Sequence, residues 1–147
     1  MKYPVILIAE DDEEDRMIIS DSFAELEDPL SFHFVINGVE VLKFLTTLPQ
    51  GVLPELIILD LNMPRMSGTE TLRELKSHNV FADIPVIIFS TSVNQIEKQI
   101  CLKLGAADYL TKPATYKEGV QIASYFSEFA RKKSPLSQPL KDPLQKT

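Results

Sequence analysis

Residues 56–68 have the sequence LIILDLNMPRMSG, and this stretch decides the fold prediction. Its first four residues are all apolar, which is typical of a strand covered on both faces, as in a parallel sheet. Asp60 follows directly after that run. Further on, Ser67 and Glu70 have the spacing of a capping box, which marks the start of a helix. The stretch therefore predicts a buried strand, a loop and a helix.

The same alternation of strand and helix extends over most of the chain. Other short apolar runs, each bounded by polar or turn residues, lie at 5–9, 32–36, 86–89 and 109–110. Segments with the apolar spacing of a helix lie at 12–27, 38–48, 67–77, 93–104 and 116–132. This repeated order predicts an open, doubly wound α/β domain with a parallel sheet.

The predicted fourth helix has two features that the structure can test. Ile96, Ile100 and Leu104 recur at four-residue intervals, so we expect them to form the buried stripe of this helix. Gly105 follows the last of them, where a residue in the left-handed conformation commonly ends a helix.

Composition limits the classes of protein to which this chain can belong. Its 147 residues fit one domain, and 15 basic against 21 acidic residues argue against a nucleic-acid-binding surface. Its one cysteine, Cys101, cannot form an internal disulfide, which suits a reducing cytosol. No apolar run approaches the roughly 18–20 residues that span a bilayer. We expect a soluble, cytoplasmic protein without nucleic-acid or membrane partners.

The composition changes near the C-terminal end. From Ser134 onward the chain has three prolines in fourteen residues, and we expect a tail there. The predicted organisation is a domain at 3–132 and a tail at 133–147. We expect no DNA-binding or catalytic output domain after residue 132.

Polar residues that can carry chemistry follow the predicted strands. Glu10 and Asp11 follow the first, Asp60 the third, Ser90 the fourth and Lys112 the fifth. Ligands of open α/β sheets bind at the carboxyl ends of the strands, so we expect these residues to share one cleft. Carboxylates without histidine or cysteine favour Mg²⁺, and a lysine and a hydroxyl beside them can hold phosphoryl oxygens.

Each of these residues taken alone has an ordinary structural explanation. Acids after a strand often cap the next helix, and we expect one of Glu10, Asp11 and Asp12 to do so. A Ser-Thr pair after a strand is mostly turn chemistry. Only the combination on four strand ends indicates a phosphoryl site.

Four motifs in one order resemble the receiver family of bacterial two-component response regulators. They are ILIAEDD at 6–12, LIILDLNMPRMSG at 56–68, PVIIFST at 85–91 and GAADYLTKP at 105–113. The resemblance covers residues 3 to about 132. It implies a flavodoxin-like (βα)5 fold with strand order 2-1-3-4-5, the order of a family member that is itself an established example of this fold.

The resemblance also implies a reaction and a metal site. Asp60 is the expected phosphoacceptor, whose carboxylate attacks the phosphorus of a phosphohistidine on a sensor histidine kinase. Asp60 and Asp11 are expected to bind Mg²⁺ directly, Glu10 through water, and Asn62 through its backbone carbonyl.

A second set of implied roles concerns the response to phosphorylation. Ser90 matches the hydroxyl residue that turns inward to bond the phosphoryl oxygen, and Tyr109 matches an aromatic residue that changes rotamer with it. Lys112 is expected to pair with the phosphoryl group, with a cis bond to Pro113. Phosphorylation adds about −1.5 to −2 charges. The Ser90 hydroxyl therefore gains a phosphoryl oxygen as a hydrogen-bond partner only in the phosphorylated state.

The chain also differs from the most compact members of the family. It has extra residues around 27–31 and 48–54, a pattern that resembles single-domain regulators, some of them associated with bacterial phytochromes. We expect output through the fourth helix, fifth strand and fifth helix, by formation of a homodimer. The candidate contact residues are Gln95, Lys98, Gln99, Tyr109, Lys117 and Glu118.

Two other functions remain open from the sequence. A phosphorelay shuttle would pass the phosphoryl group on to a histidine phosphotransfer protein, and the sequence does not separate it from a terminal switch. A small Mg²⁺-dependent aspartate-based phosphatase would need an acid two residues after Asp60. That position is Asn62, which cannot exchange protons and argues against turnover.

Overall fold

The computed structural model describes residues 3–91 and 94–132. Within these residues the chain forms a five-stranded parallel sheet and five helices. The strand order is β2-β1-β3-β4-β5, so the predicted doubly wound fold and its strand order are confirmed. The predicted tail at 133–147 lies outside the described residues. The strands are β1 (Ile6–Ala9), β2 (Phe32–Val35), β3 (Leu56–Leu59), β4 (Val86–Ser90) and β5 (Asp108–Thr111). The helices are α1 (Glu13–Ala24), α2 (Gly38–Thr47), α3 (Gly68–Ser77), α4 (Gln95–Leu104) and α5 (Tyr116–Arg131).

The side chains of the central strands alternate between two hydrophobic cores. Leu7 of β1 and Ile57 of β3 belong to the core that includes residues of α2, α3 and α4. Ile8 of β1 and Ile58 of β3 belong to the other, together with residues of α1 and α5. Because helices cover both faces of the sheet, its central strands need no polar side, which explains their uninterrupted apolar sequences.

Capping residues fix where the helices begin and end. Asp12 caps α1, its side chain accepting a hydrogen bond from the Asp15 backbone N–H at 2.9 Å. Ser67 and Glu70 form the predicted capping box of α3. Gly105 ends α4 with a φ of 110°, in the left-handed region that glycine adopts without steric cost. All three sequence-based expectations are confirmed.

The predicted buried stripe of α4 is wrong for Ile96 and Ile100, although Leu104 does pack against the core. Ile96 is 73% exposed and Ile100 43% exposed, whereas Cys101 is fully buried. The Cys101 Sγ atom lies 4.0 Å from the Thr69 hydroxyl oxygen of α3. Successive helical residues are turned by about 100°, so a helix that faces α3 with Cys101 turns Ile100 away. Packing against α3, rather than the four-residue spacing, selected the buried face.

The start of α3 is held very close to the end of β3. A Cβ atom on Gly68 would lie 2.2 Å from the Asp60 carbonyl oxygen and 2.8 Å from Leu61 Cα. The Gly68 N–H also donates to the Leu61 carbonyl at 2.9 Å. Only glycine fits here, so Gly68 determines the path of the loop that follows Asp60.

We expect Gly68→Ala to lower the free energy of unfolding by about 3 kcal/mol, because the new methyl group would overlap backbone atoms that cannot rotate away. The matched control is Gly51→Ala, which meets no atom within 4 Å but has a φ of 83°. Gly51→Ala should cost only the strain of placing an alanine at a positive φ, about 1 kcal/mol. Urea unfolding followed by circular dichroism gives both values, and equal losses would contradict a steric role for Gly68.

Candidate functional site

Parallel strand register brings three carboxylates together at one edge of the sheet. The Asp60 N–H donates to the Ala9 carbonyl at 3.1 Å, which places Asp60 beside Glu10 at the ends of β3 and β1. Glu10 is 1% exposed and Asp60 7% exposed, while Asp11 is open to solvent. One carboxylate oxygen from each of the three residues lies within 4.8 Å of the others. The sequence-based expectation of one acidic cluster agrees with this geometry.

Burial makes the negative charge of this cluster unfavourable. Burial raises the pKa of Glu10 to about 7, with the charge of Asp60 adding to the effect and Lys112 opposing it. Burial also raises the pKa of Asp60; Lys112 opposes the shift, and Asp11 adds to it. Carboxylates that repel one another this closely favour a cation between them, and oxygen donors without histidine or cysteine suit Mg²⁺.

Lys112 supplies the positive charge that faces the cluster. Its Nζ atom lies 2.5 Å from Glu10 Oε1, 2.7 Å from Asp15 Oδ2 and 3.6 Å from Asp60 Oδ1. Burial alone would lower the pKa of Lys112, but its hydrogen bonds with Asp15 and Glu10 outweigh burial and raise it to about 12. Lys112 is therefore a charged ammonium group within reach of the expected phosphoacceptor.

The backbone of β4 holds Lys112 in place. The Lys112 N–H donates to the Ser90 carbonyl at 2.7 Å. The Lys112–Pro113 bond is trans, so the expected cis bond is wrong. The trans form is the lower-energy isomer of an X–Pro bond by about 0.5–1 kcal/mol.

Ser90 and Tyr109 lie together inside the molecule. Ser90 is the last residue of β4 and is fully buried; Tyr109 of β5 is 4% exposed. Burial raises the pKa of the Tyr109 hydroxyl, and a hydrogen bond with the Ser90 side chain opposes that shift. The two residues assigned to the switch are therefore in contact, although they belong to different strands.

The loop after Asp60 has an unusual backbone conformation. Arg65 has a φ of 68°, and the Met66 N–H donates to the Pro64 carbonyl at 2.7 Å, which makes a three-residue turn. The Gly38 N–H of α2 donates to the Met66 carbonyl at 3.3 Å and ties this loop to the neighbouring helix. Asn62, in the same loop, is exposed.

Sequence reasoning missed Asp15 as a member of the site. It lies in the first turn of α1, where acids are common because they stabilise the N-terminal end of a helix. Asp15 therefore could not be distinguished from Glu13 and Glu14 by residue type. Arg16 was also missed; its guanidinium donates to the Glu10 carbonyl at 2.9 Å.

The family comparison agrees with this geometry. The family model for the response regulator receiver domain matches residues 6–124 of the chain. The chain belongs to this family. Over 119 residues the receiver domain is 32% identical to the sensory transduction protein RegX3 of Mycobacterium tuberculosis, covering 77% of this chain and 46% of RegX3. The chain spans less than half the length of the curated relatives that it matches.

Solved structures cover nearly the whole chain. The phosphorylated cyanobacterial phytochrome response regulator RcpA is 30% identical, with a TM-score of 0.79, and the match covers 93% of this chain and 100% of RcpA. The Mn²⁺-bound form of response regulator Rcp1 is 26% identical, with a TM-score of 0.76, and the match covers 92% of this chain and 100% of Rcp1. The expected likeness to phytochrome-associated regulators is confirmed.

Family membership determines the general function. The chain is a response regulator receiver domain, and membership implies acceptance of a phosphoryl group by an aspartate; neither the shuttle nor the phosphatase is favoured. Receiver domains interact with sensor histidine kinases and bind Mg²⁺ at an acidic pocket, which here contains Glu10, Asp11 and Asp60. Among the described residues, no helix is both long enough and apolar enough to cross a membrane.

The raised pKa of Glu10 predicts how stability depends on pH when divalent cations are absent. The unfolded chain releases the Glu10 proton near pH 4.5 and the folded domain near pH 7. Between these values the folded state binds more protons, so its free energy of unfolding should fall as the pH rises. Urea unfolding across this range, with EDTA present, measures the effect.

The control for this experiment separates Glu10 from the other acids of the chain. Glu10→Gln should lose this part of the pH dependence, and Glu13→Gln, which removes an exposed acid, should keep it. Parallel pH profiles for wild type and Glu10→Gln would contradict the assignment.

Proposed function

We propose that Asp60 is the residue that accepts the phosphoryl group. The observation that supports this most directly is the position of Asp60 between two other carboxylates and the Lys112 ammonium group. Asp60 lies within 4.8 Å of the Glu10 and Asp11 carboxylates and 3.6 Å from the Lys112 ammonium. A metal ion and a lysine on either side of one carboxylate can neutralise the charge on transferring phosphoryl oxygens.

The metal ligands belong to the same proposal. Asp11 and Asp60 bind Mg²⁺ directly, Glu10 binds through water, and Asn62 supplies its backbone carbonyl. The clustered carboxylate oxygens and the raised pKa values of Glu10 and Asp60 support this set. When bound, the ion supplies charge neutralisation; the chain's own residues orient Asp60 and hold Lys112 opposite.

The switch is proposed to act through Ser90 and Tyr109. The Ser90 hydroxyl turns to bond a phosphoryl oxygen and gives up its contact with Tyr109, whose side chain then changes position. The hydrogen bond between the two residues supports this coupling, because Ser90 cannot change partner without affecting Tyr109. A contact that differs between the two states is what biases such an equilibrium.

The remaining parts of the proposal concern the whole protein. The receiver domain occupies residues 3–132, with a tail at 133–147, and acts in the cytoplasm. It accepts the phosphoryl group from a sensor histidine kinase and loses it by slow self-dephosphorylation, without turnover of a further substrate. The net charge of −6 supports a protein partner rather than nucleic acid.

We expect acetyl phosphate with Mg²⁺ to add one phosphoryl group to the wild-type protein and none to Asp60→Asn, because an amide oxygen is a far weaker nucleophile than a carboxylate. Intact-mass spectrometry measures the product. Asp11→Asn should react much more slowly, and EDTA should stop the reaction. An equal mass gain in wild type and Asp60→Asn would contradict the assignment.

Output is proposed to occur through a homodimer formed by α4, β5 and α5. The structure changes the list of contact residues, because Tyr109 is buried in this conformation. Ile96 and Ile100 are exposed apolar residues on α4, and exposed apolar area supports an interface. The other candidates on this surface are Gln95, Lys98, Gln99, Lys117 and Glu118.

Light scattering with beryllofluoride and Mg²⁺ should give twice the monomer mass. Ile96→Lys should return the protein to a monomer, because a charge would enter the apolar contact. The matched control is Met17→Lys on α1, where Met17 is 60% exposed and Ile96 73% exposed. A wild-type monomer with and without beryllofluoride would contradict the dimer.

A further inference from the structure

Asp15 makes a contact that its neighbours in the first turn of α1 do not make. Its Oδ2 atom lies 2.7 Å from Lys112 Nζ, and the two side chains are 29% and 10% exposed. Glu14, one residue earlier, is exposed, and its side chain has no hydrogen bond or ion pair within residues 3–91 and 94–132. The contact with Lys112 therefore distinguishes Asp15 from a general acidic helix end.

Three carboxylates lie near the Lys112 ammonium group, and Asp60 is the most distant of them. This ammonium group has three N–H donors. Glu10 at 2.5 Å and Asp15 at 2.7 Å are within hydrogen-bond distance, whereas Asp60 at 3.6 Å is not. Before phosphorylation, Lys112 is thus held by two acids other than the phosphoacceptor.

A small space lies beside the side chains of Lys112 and Asp15. This cavity of about 30 Å³ borders the Lys112 side chain, with space for a water molecule. The wall of this cavity is formed by Asp15, Ile18, Ile19, Phe89, Lys112 and Pro113. The lysine side chain is therefore not closely packed on the side of Asp15.

We propose that Asp15 is a positioning residue that competes with the phosphoryl group for Lys112 and so slows phosphorylation of Asp60. This inference rests on the proposed roles of Asp60 and Lys112. With acetyl phosphate, an Asp60 oxygen forms the new bond to phosphorus. The bond from phosphorus to the acetate oxygen breaks, and its electron pair leaves with acetate. Lys112 keeps its protons throughout and only changes its partner, from Asp15 to a phosphoryl oxygen.

The test compares Asp15→Asn with a variant that removes the same charge without touching Lys112. With acetyl phosphate and Mg²⁺, we expect the maximal phosphorylation rate of Asp15→Asn to be roughly fivefold that of wild type, the scale of a partly exposed ion pair. Glu14→Gln removes a charge from the same helical turn and should keep the wild-type rate. Asp15→Glu restores the carboxylate and should return the rate towards wild type. Intact-mass spectrometry over a range of donor concentrations separates the maximal rate from donor binding.

A double-mutant cycle shows whether Asp15 acts through Lys112. In a Lys112→Met background, Asp15→Asn should not change the rate, because the group that it releases is missing. An unchanged or slower Asp15→Asn protein, an equal acceleration by Glu14→Gln, or an acceleration that survives in Lys112→Met would overturn the proposal. A wild-type protein that takes up no phosphoryl group contradicts the proposed function, whereas uptake at equal rates by wild type and Asp15→Asn contradicts only the role of Asp15.

Discussion

The ion pair between Lys112 and the acids at the strand ends is the interaction on which the site depends. Glu10 and Asp60 are almost fully buried, and two buried carboxylates repel each other strongly unless a cation is close. Lys112 supplies that cation without a metal, and the ion pairs raise its pKa to about 12 although burial opposes this. Lys112 therefore offsets part of the cost of burying these carboxylates before Mg²⁺ or a phosphoryl group arrives.

The rest of the fold delivers these charges to one place. Each parallel strand ends at the same edge of the sheet. The hydrogen bond from the Asp60 N–H to the Ala9 carbonyl continues the register of β3 with β1, so the ends of these two strands lie side by side. A further bond, from the Lys112 N–H to the Ser90 carbonyl, attaches the lysine to the strand that carries the hydroxyl residue. These two bonds fix Asp60 beside β1 and Lys112 beside Ser90 of β4.

The sequence was least informative where helices meet their neighbours. The four-residue spacing of Ile96 and Ile100 indicated a buried stripe, but α4 turns Cys101 inward against α3 and leaves both isoleucines exposed. The same limit applied to Asp15, since an acid in the first turn of a helix has an ordinary explanation. In both cases the deciding contact joins residues far apart in the chain. The spacing of residues along one helix cannot predict such a contact.

The sequence by itself determined the order of elements, the parallel sheet and the types of residue at its carboxyl edge. Uninterrupted apolar runs, capping residues and Gly105 are local signals, and each acts within a few residues of itself. Only the tertiary structure decided how the charges are shared, with Lys112 nearer to Glu10 and Asp15 than to Asp60. The reason is physical: electrostatic energy depends on distances of a few ångströms between residues about a hundred positions apart, and only the packed fold sets those distances.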